Sequence, residues 1–149
     1  VISFVGGRDF SLKQTNYMLT KRSPGSTIKP LLVYGPAIDQ KLIGSKTMLA
    51  DFKTNFKDYA PTDYGGTIQN KFIPADEALA QSLNIPTVNL YNALKNTTDP
   101  SKYMSKMGIN LTADEYSQLG ISLGGTSDGV SVLELLLQFT INSTLIPTT

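Results

Sequence analysis

The segment around residues 131–141 constrains this chain's fold more than any other. Ser131 and Glu134 stand three positions apart. At that spacing a hydroxyl and a carboxylate cap each other's backbone at a helix start. Residues 132–141 carry Leu133, Leu135, Leu136, Leu137 and Phe139, so the predicted helix is apolar nearly all round. Such a helix should be buried, with partners on every side. A chain of 149 residues is one domain by length and buries roughly 70% of the surface that its unfolded form exposes. That is thin cover for a helix with no polar face. The chain opens on Val1-Ile2-Ser3-Phe4-Val5, without Met or a signal peptide. This reads as a strand ended by Gly6-Gly7, with Arg8-Asp9-Phe10 as the start of a return strand. The expectation is a piece of a larger fold, cut near a strand.

The rest of the second half is also helical. Pro74 sits at a helix start, and residues 75–82 place Ala78, Leu79 and Leu83 on one stripe. Pro86 opens a helix over 87–95 with Val88, Leu90, Tyr91 and Leu94 as its apolar residues. Asp99-Pro100 pairs an N-cap with a first-turn proline, and Gly108 ends that helix. Thr112 and Glu115 repeat the capping-box spacing. In the first half, Pro24-Gly25-Ser26 reads as a turn and helix start, and Ile28, Leu31, Leu32 and Gly35 recur at helical spacing. Residues 40–74 read as a long polar loop with short extended pieces. A loop of that length in a compact domain usually serves or covers a site. No internal repeat is present.

Composition removes several chemistries. The chain has no His and no Cys. That excludes the Ser-His-Asp triad, a cysteine nucleophile, and zinc sites that need imidazole or thiolate. The 13 basic and 12 acidic residues leave a net charge of +1, without a basic cluster to neutralise phosphates, so no nucleic acid is expected. No apolar run approaches the length of about 18 residues needed to span a membrane. Acid–base chemistry falls to Lys, Asp, Glu, Tyr, Ser or Thr, and no metal or cofactor is implied.

Ser26-Thr27-Ile28-Lys29 is the sharpest constellation. Its spacing puts the hydroxyl and the amine on one helix face, a turn apart. Pro30 has no N–H for the carbonyl of residue 26, which places Ser26 in the first turn. There the helix dipole and unpaired backbone N–H groups favour a developing oxyanion. A desolvated Lys29 loses its proton more readily and serves as base for Ser26. By itself the pattern is weak, because about one Ser-x-x-Lys match is expected by chance in a chain this rich in both residues. Ser82-Leu83-Asn84 lies between two predicted helices, where Ser and Asn are ordinarily caps. Beside Ser26 and Lys29 it offers a hydroxyl to relay a proton and an amide to hold the lysine.

Together these segments resemble the transpeptidase domain of penicillin-binding proteins, in the serine transpeptidase and β-lactamase-like superfamily. Residues Arg22-Ser23-Pro24-Gly25-Ser26-Thr27-Ile28-Lys29-Pro30 resemble its nucleophile segment, and Val5-Gly6-Gly7-Arg8-Asp9 the strand turn before it. Residues 77–88, from Glu77 to Val88, resemble the segment that bears its Ser-x-Asn motif. Leu123-Gly124-Gly125 with residues 129–135 resembles a downstream helix start. The four blocks come in family order and look most like the bifunctional class A enzymes, which join a glycosyltransferase to the transpeptidase.

The resemblance implies an α/β (α+β) fold of the β-lactamase/transpeptidase type, incomplete here. Residues 1–149 would be the N-terminal, mainly helical portion with an N-terminal strand or hairpin. It implies Ser26 as the acylated nucleophile, Lys29 as its base, Ser82 as the proton relay to the leaving amine, and Asn84 as holder of Lys29 and the substrate amide. The backbone N–H of Ser26 would form half of the oxyanion hole. Partners would be a peptidoglycan stem peptide ending in D-Ala-D-Ala, β-lactams, and the C-terminal remainder of the same domain. No nucleic acid is implied, and the membrane anchor would lie outside this segment, on the extracytoplasmic face of a bacterial membrane. The family's third motif, Lys-Thr-Gly or Lys-Ser-Gly, is absent. Lys46-Thr47-Met48 and Lys53-Thr54-Asn55 both lack its glycine, so the segment alone is expected to be inactive.

Alternatives on the same fold are a D,D-carboxypeptidase, a β-lactamase, or a non-catalytic sensor that binds β-lactam or peptide. Outside it stands a helical interaction module with a chance Ser-x-x-Lys. Three sequons, at Asn96, Asn110 and Asn142, read as coincidence. Asp63, Asp76, Glu77 and Asp99 read as caps and first-turn acids rather than acid–base pairs, and Tyr59 and Tyr64 as ordinary packing rather than groove walls.

Overall fold

The computed structural model describes Ser3, residues 16–57 and residues 59–145. The strand over 1–5 and the return strand from Arg8 lie outside the described residues, Ser3 apart. A short strand, β1 (Lys21–Arg22), leads into a 3-10 turn (Gly25–Thr27) and a π-helix (Lys29–Tyr34), which continues as α1 (Gly35–Asp39). Next come β2 (Met48–Asp51) and β3 (Lys71–Pro74), then α2 (Ala75–Ala80), α3 (Asn84–Thr97), α4 (Ser101–Lys106) and α5 (Ala113–Ser117). A 3-10 segment (Leu119–Leu123), β4 (Val130–Ser131) and α6 (Val132–Leu145) follow. β1 pairs antiparallel with β4, and β2 with β3, in a register running from Met48 opposite Pro74 to Asp51 opposite Lys71. The short extended pieces expected within 40–74 are these two strands.

α3 is the centre of the packing. It lies against the π-helix, β2 and the 3-10 segment Leu119–Leu123. It buries Ile85, Val88, Leu90, Tyr91 and Leu94, each contributing about 1.5–3 kcal/mol by removal from water. The ring of Tyr91 is fully enclosed, and its hydroxyl donates to Tyr116 O at 2.9 Å. Ile28, Leu31, Leu32, Val33 and Tyr34 face it from the other side.

The structure departs from the sequence expectations at several points. The helical spacing of Ile28 to Gly35 is realised as a π-helix, closed by Gly35 N–H donating to Pro30 O. The approach there is close, since a Cβ at residue 35 would sit 2.8 Å from that oxygen. α3 starts at Asn84 rather than beyond Pro86, because Asp63 supplies acceptors for its first N–H groups. α4 starts after Pro100, and Asp99 still caps it through Ser101 N–H at 3.0 Å. α6 forms, and its capping box is present, but it is not enclosed. Val132, Leu136, Leu137 and Phe139 are 39–50% exposed, because the described residues pack on one side of the helix only. No helix among the described residues is long and apolar enough to cross a membrane.

Candidate active site

Lys29 is the centre of the site. Its position in the π-helix turns a cation fully into the interior. Nζ donates to Ser82 O at 2.6 Å, Asn84 Oδ1 at 2.8 Å, Ser82 Oγ at 3.1 Å and Leu83 O at 3.2 Å. Three of those oxygens only accept, which matches the three protons of an ammonium. The Ser82 hydroxyl is a fourth partner, which accepts from the ammonium and can donate only to the neutral amine. Burial pushes the Lys29 amine down to about 8, against the opposing charge of Asp63.

Ser82 owes its place to the end of α2. Its N–H donates to Leu79 O at 2.9 Å, and that of Leu83 to Ala78 O at 3.0 Å. This pair of bonds is a Schellman motif, which needs a left-handed residue after the helix. Here that residue is Ser82, with φ +55° rather than the usual glycine. The turn aims the carbonyls of Ser82 and Leu83 at the same amine. Asn84 lies in the first turn of α3. Its Nδ2 donates to Thr62 O at 2.7 Å, which fixes the amide so that Oδ1 faces Lys29.

Ser26 sits in the 3-10 turn one step before the π-helix, and its side chain is exposed. Among the described residues, Lys29 has no hydrogen bond to it. Ser23 Oγ donates to Gly124 O at 2.6 Å, so the 3-10 segment's end presses on this turn. Gly124, at φ +91°, lies so close that a Cβ there would come 2.4–2.6 Å from backbone atoms of Gly25. The structure therefore gathers Lys29, Ser82 and Asn84 into one cluster and leaves Ser26 a turn away at the surface.

Of the four carboxylates read as caps and first-turn acids, Asp99 caps α4, Asp76 and Glu77 stand in the first turn of α2, and Asp63 caps α3, a helix that starts 21 positions further along the chain. Tyr64 is 99% exposed and packs on nothing, contrary to the expectation of ordinary packing. Tyr59 is half-buried and lines an open cleft with Phe56, Asn92 and Gly120, away from Lys29. Sequence reasoning missed what Asp63, Gly124 and Thr62 do for the site, since each acts on a partner far along the chain.

The family of penicillin binding protein transpeptidase domains matches residues 2–144. The chain belongs to that family. It is 36% identical over 131 residues to penicillin-binding protein 1F of Bacillus subtilis, covering 88% of this chain and 18% of that protein. It is 34% identical over 137 residues to penicillin-binding protein 1A/1B of the same organism, covering 87% and 14%. The chain thus spans less than a fifth of these curated relatives. Among solved structures, penicillin-binding protein 1A from Haemophilus influenzae aligns over 87% of this chain and 19% of its own, with TM-score 0.71 and 19% identity. Penicillin-binding protein A from M. tuberculosis, solved as an imipenem acyl-enzyme complex, aligns over 87% and 34%, with TM-score 0.63 and 16% identity. These neighbours share the fold, and the relatives group the chain with the class A transpeptidases whose blocks it resembles.

Proposed function

We propose that this chain supplies the nucleophile-bearing part of a peptidoglycan D,D-transpeptidase, with Ser26, Lys29, Ser82 and Asn84 as its reacting set. One observation carries the reading. Lys29 is enclosed, its amine is brought to about 8, and it stands one turn from an exposed serine. As a neutral amine, Lys29 keeps two N–H donors for the surrounding oxygens and turns a lone pair to the hydroxyl of Ser26. Ser26 Oγ then attacks the carbonyl of the penultimate D-Ala, and its proton passes to Nζ. The tetrahedral oxyanion meets the Ser26 backbone N–H. When the C–N bond breaks, Ser82 delivers a proton to the leaving D-Ala amine and is re-protonated from Lys29. An acceptor amine completes the exchange by the reverse steps, and a β-lactam stops at the ester.

The third motif and the rest of the sheet belong, in this proposal, to other parts of the protein. So does an anchor holding it on the extracytoplasmic face of a bacterial membrane. The test is intact-mass spectrometry of the whole protein with a penicillin, beside Ser26→Ala. A single adduct on the parent and none on the variant supports Ser26. No adduct on a folded parent overturns the reading.

A further inference from the structure

The acyl-transfer chemistry leaves two buried carboxyls unused. Asp51 ends β2 and has no exposed surface; Asp63, in the loop between β2 and β3, is 4% exposed. Asp51 Oδ2 accepts from Gln69 N–H at 2.8 Å. Asp63 Oδ1 accepts from Asn84 N–H at 2.5 Å and Ile85 N–H at 3.2 Å. The other two oxygens, Asp51 Oδ1 and Asp63 Oδ2, are buried without a hydrogen-bond partner. The two carboxyls stand within hydrogen-bonding reach of each other. As two carboxylates they would combine two unmet buried acceptors with a like-charge repulsion. One proton removes both faults, because a hydroxyl on Asp51 directed at Asp63 satisfies both stranded oxygens.

We propose that Asp51 keeps a proton directed at Asp63, and that this pair positions Asn84 and sets the charge that faces Lys29. Asp63 is then a positioning residue with two actions. Its Oδ1 fixes the first turn of α3, where Asn84 begins, and its charge opposes the effect of burial on Lys29. Asp51 carries the proton. Burial pushes its carboxyl upward, and Asp63 adds to this, against the Gln69 hydrogen bond and the charge of Lys71. Lys71 stands opposite Asp51 on β3. α3 presents neutral Asn89, which donates to Ala50 O at 3.2 Å. α2, also packed on β2, bears Asp76 and Glu77, both exposed, with Asp76 paired to Lys46. The folded chain therefore holds a proton that the unfolded Asp51 has already lost. Its contribution to stability falls as pH rises through the folded value.

The pair stands independently of the proposed function; only its consequence for acylation rests on that reading. The whole protein is examined by infrared difference spectroscopy as pH rises above the ordinary aspartate range, about 3.9. A protonated carboxyl is expected to persist there and to vanish in Asp51→Asn. It should vanish also in Asp63→Asn, whose amide donates to Asp51 and lets it ionise. Absence of that signal from the wild-type spectrum overturns the proposal, whether the carboxylates are separate or bridged by a cation, and this readout needs no variant to fold. Its survival in Asp51→Asn overturns it as well. The second readout is the pH profile of β-lactam acylation. Asp63→Asn should move its midpoint to lower pH, because the charge that raises Lys29 is gone. An unmoved midpoint overturns the electrostatic role. Acylation absent from every form, with the infrared signal present, fails the transpeptidase reading and leaves the pair standing.

Discussion

Ser82 serves two demands that oppose each other. Its left-handed backbone closes the end of α2 and turns two carbonyls to Lys29, yet a side chain at φ +55° costs about 1–2 kcal/mol. Ser82→Gly relieves that strain and deletes the hydroxyl. We expect it to raise stability by about 1 kcal/mol, read as a higher Tm, and to slow β-lactam acylation by about a hundredfold. Ser82→Ala should slow acylation equally without the gain in Tm. A lower Tm for the glycine variant would mean that the 3.1 Å contact with Lys29 outweighs the strain. Lys29 gives a second prediction at this scale. Its folded value of about 8 lies below the usual lysine value, so between about 8 and 10.5 the unfolded chain binds the extra proton. The contribution of Lys29 to stability therefore grows as pH rises across that window. In the proposed reaction the base is the neutral form of Lys29, so acylation should rise about tenfold per pH unit below 8 and then level off. Lys29→Arg, which does not deprotonate, should show no such limb in stopped-flow acylation measurements.

At the scale of elements, the turn that bears Ser26 is held from outside. The 3-10 segment Leu119–Leu123 ends on Gly124, whose carbonyl accepts from the Ser23 hydroxyl 101 positions away and whose Cα lies so close to the backbone of Gly25 that a Cβ there would clash with it. Gly124→Ala has no room for its methyl group and a positive φ besides. It should cost about 1–3 kcal/mol and reduce acylation more than it reduces helix content by circular dichroism. Full acylation in this variant would show that the segment does not hold the Ser26 turn. The same contact shows what was legible in the sequence. Features set within one helical turn could be read: the capping boxes of Thr112 with Glu115 and Ser131 with Glu134, and Ser26 in a first turn before Lys29. Features set by distant partners could not. The start of α3 depends on Asp63, 21 positions upstream of Asn84, and no local pattern announces it. The exposed face of α6 was misread for the same reason, since composition records how apolar a helix is and not how many neighbours it finds.

Across the whole molecule, Glu115 links regions that are otherwise joined by loops. Its Oε2 accepts from Thr112 N–H at 2.8 Å and Thr112 Oγ1 at 2.9 Å, and its Oε1 from Ser127 N–H at 2.8 Å and Ser127 Oγ at 2.9 Å. One carboxylate thus ties α5 to the strand approach that carries Gly124 on one side and β4 on the other. The backbone hydrogen bond from Thr112, with those from Ser127, holds this carboxyl down to about 2, against the cost of burial. The folded state stays ionised where an unfolded glutamate takes up a proton, so the contribution is present above about 4.3 and is lost as pH falls towards 2. Because the tie runs through residues 124–127 to the turn at Gly25, its loss should loosen the Ser26 turn before the α3 core gives way. We expect Glu115→Gln to lower Tm at pH 7, by about 1 kcal/mol of stability, and to flatten the fall in Tm between pH 5 and 2.5. The check is a set of thermal melts of both forms across that range, with β-lactam acylation measured at each pH. Parallel acid limbs in the two forms would mean that Glu115 carries none of the acid sensitivity.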